Sequence, residues 1–286
     1  MTQNARIADD LRLNAVWVIE SLRPDDQQTG VELHDAVLLP LRQVHKHLRV
    51  ELSTPTSKAE FFALLTRILE QCQSNDLSPI LHLEAHGGRH GIQLTSNEIV
   101  TWEELRVVFT DINIATKFNL LVVLAACKGA HLVSLLKAND RAPVWGLIGP
   151  ASLEYPHDLL ADYSAFYQTL LTGLKGYEAV KALNAAAKLG RRQHIFYSAT
   201  YMFDRVYEHY KKVHGNPLAV RRRAKKAARA VAKGKGKSLR AVKNVRHEIT
   251  RKLRDHKTNF RPYAEKFFMH DLIPTNVRRY PIDALL

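Results

Sequence analysis

The chain has 286 residues, 46% of them hydrophobic, and a formal net charge of +14. That length and apolar content suit one large domain, or one domain with an appendage, around a sizeable core. Two cysteines, Cys72 and Cys127, argue against a disulfide framework and fit a reducing compartment. No apolar run approaches the roughly 20 residues that span a bilayer. Residues 1–10 lack the apolar stretch of a signal peptide. A soluble, cytoplasmic protein without membrane insertion is therefore expected.

The first 210 residues alternate strand-like and helix-like segments, the pattern of an α/β sheet. Residues 14–20 read as a first strand, followed by a polar loop through Pro24, Asp25 and Asp26. A helix is predicted over 33–47 and a short strand over 48–52. Ser57, with Glu60 three residues on, marks a capping box. In the helix it opens, Phe61, Leu64, Leu65, Ile68, Leu69 and Cys72 form one apolar face. Pro79 starts a third strand that ends at His86. Thr101 and Glu104 form a second capping box before a helix over 102–109. Residues 120–126 and 143–148 read as further buried strands, with a short helix over 130–137 between them. A long loop is predicted over 149–157, then helices over 158–174 and 176–190.

Beyond residue 210 the composition changes. Residues 211–258 hold 18 Lys and Arg against only Glu248 and Asp255, so the remainder, with 24 basic and 26 acidic residues, is close to neutral. Apart from Val220 and Val231, the stretch 220–232 is Ala, Lys and Arg, a strong helix former. Gly234 and Gly236 interrupt it, and a second basic helix is predicted over 238–254. Residues 259–286 regain Phe, Tyr, Leu and Ile and are expected to dock back. Three regions follow: a domain over 1–210, a basic helical arm over 211–258 and a C-terminal segment over 259–286.

Two strands end on reactive side chains. Cys127 follows the run 120–126 and precedes Lys128-Gly129; His86 follows the run 80–85 and precedes Gly87-Gly88. The helix over 102–109 makes a strand–helix–strand crossover between them, which implies parallel neighbours with both carboxyl ends on one sheet edge. Chemistry in open α/β sheets gathers beyond those ends. A helix starting just after Cys127 would lower its thiol pKa, whereas Cys72 lies in an apolar stripe as a core residue. The imidazole would serve as general base or acid, and glycines beside it let backbone N–H groups approach a substrate oxygen. A cysteine hydrolase is the expected chemistry.

With His-Gly after one strand and Ala126-Cys127-Lys128-Gly129 after the next, the chain resembles the caspase-like cysteine peptidases, the group of caspases, separase and the CHAT-domain proteases. The caspase signature Q-A-C-[RQG]-G, with a histidine roughly 50 residues upstream, is matched in part: Ala125 stands for the Gln and Lys128 for the Arg. The CHAT pattern is closer, including Phe166-Tyr167 through Gly173 and then Glu178-Ala179-Val180. The resemblance covers about residues 14–190. It implies a three-layer α/β sandwich with a mostly parallel sheet, here with a basic helical C-terminal extension. It also implies Cys127 as nucleophile, His86 as acid/base, and the backbone N–H groups of Gly87 and Cys127 as the oxyanion hole. The loop after Ile148 and Gly149 would lie beside a protein substrate. Small bacterial members often act in antiviral defence, cleaving a partner effector such as a gasdermin-like pore former.

Glu20, Asp25 and Asp26 near the end of the first strand favour a basic P1 residue, against Arg23 in the same loop. No cofactor or metal is expected: His82, His86 and His90 are spaced by four, but the segment matches neither H-E-x-x-H nor H-x-x-E-H, and Gly87-Gly88 opposes a helix. His86-Gly87-Gly88 is similar to an esterase oxyanion loop, yet the chain has no G-x-S-x-G elbow, and no phosphate-binding or dinucleotide fingerprint. Arg221, Arg222, Arg223, Lys225 and Lys226 make the arm a candidate for nonspecific nucleic acid or an acidic protein partner. The alternative to a peptidase is a non-catalytic caspase-like scaffold, or a nucleic-acid-sensing module acting through the arm.

Overall fold

The computed structural model describes residues 12–75, 77–126, 131–134, 136–137, 139–150, 156–173, 176–186, 194–235 and 239–286. The chain divides into two compact units, residues 1–135 with 142–199 and residues 136–141 with 200–286.

The first unit is built on a mixed sheet whose strands are β1 (Ala15–Ser21), β2 (Arg49–Ser53), β3 (Pro79–Gly87), β6 (Leu121–Ala125), β7 (Gly146–Pro150) and β8 (His194–Ser198). Their order is β2-β1-β3-β6-β7-β8, and every neighbouring pair is parallel except β7 with β8. Apolar runs explain the central strands: all seven residues of β1 and all five of β6 are buried, as expected for strands covered on both faces. Two three-residue strands, β4 (Gly91–Gln93) and β5 (Ile99–Thr101), form a hairpin that extends β3 antiparallel, with His86 opposite Gln93 and Gly87 opposite Ile92.

Helices cover both faces. On one, α1 (Thr29–Leu33) runs through a π turn over 34–38 into α2 (Leu39–Val44), and α1 packs on α6 (Pro156–Gly173), which pairs with α7 (Gly176–Ala186). On the other, α3 (Lys58–Ser74) packs on α4 (Trp102–Ala115), and Arg67 of α3 lies 5.8 Å over the Trp17 ring of β1. The cap of α4 is the predicted box, with Thr101 and Glu104 exchanging side chain to backbone bonds. At α3 only half of it forms: Ser57 accepts from Glu60 N, while the Glu60 carboxylate turns to Thr56 N and Oγ1. Phe61, Leu64, Leu65, Ile68 and Cys72 are buried along α3.

The second unit starts earlier than composition suggests. Helix α8 (Ala199–Tyr210) belongs to it from Thr200 onward, together with α9 (Pro217–Lys235), α10 (Leu239–Arg254) and α11 (His256–Phe267). Its core is aromatic. Phe203 lies within 6.2 Å, centroid to centroid, of Tyr207, Phe260, Phe267 and Phe268, and Tyr280 stacks on Phe268 at 4.7 Å. The segment 259–286 therefore docks on α8, and arm and C-terminal segment form one body. A bidentate pair between Arg141 and Asp271, at 2.7 and 2.6 Å, holds residues 136–141 in the same unit. Among the described residues no helix is long and apolar enough to cross a membrane.

Candidate active site

The order β2-β1-β3 followed by β6 and β7 makes the gap between β1 and β3 a switch point, where successive connections leave in opposite directions; ligands of open α/β sheets bind beyond the carboxyl ends there. The loop after β1 supplies Asp26 and the end of β3 supplies His86. His86 Nε2 and Asp26 Oδ2 are 2.7 Å apart, with the two side chains 49% and 30% exposed, so the pair is reachable from solvent. Burial pushes the Asp26 carboxyl up, but the bonds from His86 and the Arg23 N–H outweigh it and hold the group below its ordinary value. A carboxylate on Nε2 fixes the ring and leaves Nδ1 as the nitrogen available for proton transfer.

The loop after β1 is itself clamped. Arg23 N donates to Asp26 Oδ2 at 2.9 Å, and the Gln28 amide donates to the carbonyls of Arg23 and Asp26. Arg23 Nη2 reaches Asn97 Oδ1 at 3.2 Å in the β4–β5 turn, where Asn97 adopts a φ of 67°, a conformation asparagine tolerates. Ser21 Oγ donates to Pro55 O and accepts from Thr95 N. The hairpin is held close because Gly91 has no side chain: a Cβ there would sit 2.0 Å from the Val100 carbonyl oxygen. Both supports of Asp26 and His86 thus rest on one hairpin.

Gly88 N donates to Gly91 O at 2.8 Å. Bonded and non-bonded pairs alternate in an antiparallel ladder, so His86 with Gln93 is the next bonded pair and the Gly87 N–H points away from β4. Cys127 lies outside the described residues, as does its backbone N–H. β6 ends at Ala125, two positions before Cys127, and Ala125 pairs with Glu84, two positions before His86.

Three predicted contacts are corrected. Glu20 is 1% exposed and cannot meet a substrate side chain: its Oε2 accepts from Gly30 N at 2.6 Å and Val31 N at 3.3 Å. Ile148 and Gly149 are buried strand residues, because β8 pairs with β7 as far as Pro150 opposite His194 and carries the strand past the expected start of the loop. The rest of that loop, 151–155, is outside the described residues. Asp26 is engaged by His86 and the Arg23 N–H, so of the three acids Asp25 alone is exposed and in no ion pair among the described residues. The basic P1 preference loses most of its footing.

A polar network beneath the site was not anticipated. Even-numbered residues of β3 share a face, and His82, Glu84 and His86 are three of them. His82 and Glu84 are buried, at 0% and 3% exposure. His82 Nε2 meets Glu84 Oε1 at 2.9 Å, Thr29 Oγ1 donates to Glu84 Oε2 at 2.9 Å, and Tyr167 Oη meets His82 Nδ1 at 3.0 Å. The set is satisfied when Nε2–H donates to the carboxylate and the Tyr167 hydroxyl donates to Nδ1. Tyr163 packs edge-on to His82 and beside His194, whose Nε2 is 2.8 Å from Asp162 Oδ2. Burial raises the Glu20 carboxyl to about 7, against the Gly30 N–H bond and with help from the charge of Glu84; Glu20 Oε1 has no hydrogen-bond partner among the described residues. Period-two polarity in an apolar strand was the available signal; reading the histidines at a spacing of four hid it. No group of three metal-ligating side chains occurs among the described residues.

No family model matches the chain, and no curated protein is significantly similar to it. What the fold and the geometry define is a class: an α/β protein with a mostly parallel central sheet flanked by helices.

Proposed function

We propose that this chain is a cysteine endopeptidase of the caspase-like kind, working through Cys127 and His86 with Asp26 as the positioning residue. The observation that carries it is the 2.7 Å pair of His86 and Asp26 at the switch point, on the strand next to the one that leads to Cys127. His86 Nδ1 takes the thiol proton as the sulfur attacks the scissile carbonyl carbon. The carbonyl electron pair moves to oxygen, where the Gly87 and Cys127 N–H groups receive it. As the intermediate collapses, the C–N bond breaks and His86 returns the proton to the departing amine. Water, deprotonated by His86, then cleaves the thioester and restores the thiol. The substrate is a protein; a regulated role in bacterial immunity, acting on a gasdermin-like effector, is the biology that the resemblance supplies.

The test is thiol alkylation by iodoacetamide across pH. Cys72 is 3% exposed, and burial pushes its thiol up to about 12. Labelling near neutrality therefore reports Cys127 alone. We expect fast labelling that His86→Ala slows at least about tenfold, as loss of a thiolate-stabilising imidazole does. Equal rates in both proteins would remove His86 from the mechanism. A survey of new protein N-termini in cells expressing wild type or Cys127→Ala, with candidate effectors co-expressed, identifies the substrate and its P1 residue.

A further inference from the structure

We propose that the exposed face of α9 is a docking surface for the phosphate backbone of double-stranded nucleic acid. This is independent of the peptidase reading and stands or falls without it. Val220, Ala224 and Ala228, at 2%, 0% and 1% exposure, form the buried stripe of α9, which pairs with α10 as a helical hairpin. Spaced by four, this stripe fixes the rotation of the helix. Arg221, Arg222, Arg223, Lys225, Lys226 and Arg229 occupy the rest of the circumference, all exposed. They span about 12 Å of axis at 1.5 Å per residue. None of the six makes an ion pair or side-chain hydrogen bond among the described residues. From residue 209 to residue 247 the chain has no acid at all.

Such an arrangement costs stability. Arg221, Lys225 and Arg229 stack at i, i+4, i+8 and Arg222 with Lys226 at i, i+4, like charges that repel on a helix surface. Nothing among the described residues neutralises them, which points to an external, anionic counterpart. Protein interfaces concentrate their energy in aromatic anchors and apolar pockets, and residues 217–254 contain no Phe, Tyr or Trp. The same lack removes the stacking platform that single strands need. What remains is dense, evenly spread, Arg-rich charge, which suits rows of phosphates and reads no sequence. DNA and RNA duplexes share that chemistry.

The experiment uses the full chain and fluorescence anisotropy with duplex DNA and duplex RNA of about 20 base pairs, each in two unrelated sequences, beside a single strand and anionic phosphatidylserine vesicles. We expect duplex binding that ignores sequence and weakens with salt, at about 0.9 in log Kd per log salt for each phosphate engaged. The RNA and DNA arms show which duplex is preferred. The triple variant R221E/K225E/R229E should weaken binding at least about 100-fold near 100 mM salt, as expected for three lost phosphate contacts. R221Q/K225Q/R229Q should do so by less, and neither should lower the melting temperature, since all three positions are exposed. Duplex binding that is insensitive to salt or to both variants would overturn the proposal, as would tighter binding to the vesicles or the single strand. If the glutamate variant fails to fold, the glutamine variant carries the test.

Discussion

Two charged regions of this molecule treat their charges in opposite ways. Around β3 three carboxyl groups have partners within the chain: Asp26 with His86 and the Arg23 N–H, Glu84 with His82 and Thr29, Asp162 with His194. Along α9 six cations have none among the described residues. Internal pairing fixes positions, which is what bond-making chemistry needs. Unpaired charge on a fixed helix leaves binding energy for something outside. On the two proposals, the first region reacts and the second attaches.

The sharpest way to break that contrast is Cys127→Ala. Loss of the nucleophile should lower peptide cleavage by at least about 1,000-fold, while duplex binding stays as it is. A residual activity within about tenfold of wild type would show that Cys127 is not the nucleophile, and no cleavage by either protein would return the fold to a scaffold. Gly30→Ala addresses the pairing itself: a Cβ at position 30 would lie 2.9 Å from both Glu20 Oε2 and Glu84 Cγ. Overpacking of this kind costs about 1–3 kcal/mol, measured as a fall in urea midpoint without change in slope. No fall would show that α1 can shift away from the two acids at no cost.

Asp26 separates charge from orientation. Asp26→Asn keeps an acceptor for His86 Nε2–H and should slow Cys127 alkylation only a few-fold, whereas Asp26→Ala should slow it about 10- to 100-fold, the range of general acid–base contributions. Identical alanine and asparagine profiles across pH would mean that charge, not orientation, is what Asp26 supplies. Glu20 gives a smaller effect with a defined sign. Its carboxyl titrates near the ordinary 4.5 when unfolded and at about 7 when folded. Between those values the folded chain holds more protons, so stability falls as pH rises, by at most about 1.4 kcal/mol per pH unit. The contribution is complete below the lower value and flat above the upper one. Glu20→Gln should erase this slope; chemical denaturation across that window checks it, and an unchanged slope would assign it elsewhere. The smallest effect belongs to Asp25→Ala, which should alter the preference between Arg and Asp at P1 by less than about threefold, as a solvated loop charge does.

Much of the architecture was readable because long apolar runs announce buried parallel strands. β1, β2, β3, β6 and β7 fall within a few residues of their expected places, as do α3, α6 and the two basic helices, while α4 starts where expected at Trp102 but continues past 109 to Ala115. The omissions have physical causes. β4 and β5 are three residues each, too short for alternation to show. β8 is mostly half-exposed, so His194-Ile195-Phe196-Tyr197-Ser198 lacks the continuous apolar run of its neighbours, although its aromatic and β-branched content was a usable sign. The boundary near residue 200 escaped notice because α8 shows no compositional break; Phe203 of its aromatic face packs on Phe260 and Phe267, which lie far along the chain. His86 stands out in the sequence through its place at a strand end before two glycines. Asp26 was singled out for a different task, since its partner lies 60 positions away in sequence and only the clamped loop joins them. Glu20 looked like a surface acid because nothing local reveals that Gly30 will close over it.

Gly30 leaves a mark that evolution should preserve. The room for its missing side chain is occupied by the Glu20 carboxylate and the Glu84 stem, so the three positions are tied by volume. In descendants of this sequence, shorter residues at both 20 and 84 would release position 30 to accept a side chain, whereas a retained glutamate at either would hold glycine in place. Positions 20, 30 and 84 should therefore change together, an inherited trace of how closely α1 is drawn onto the sheet.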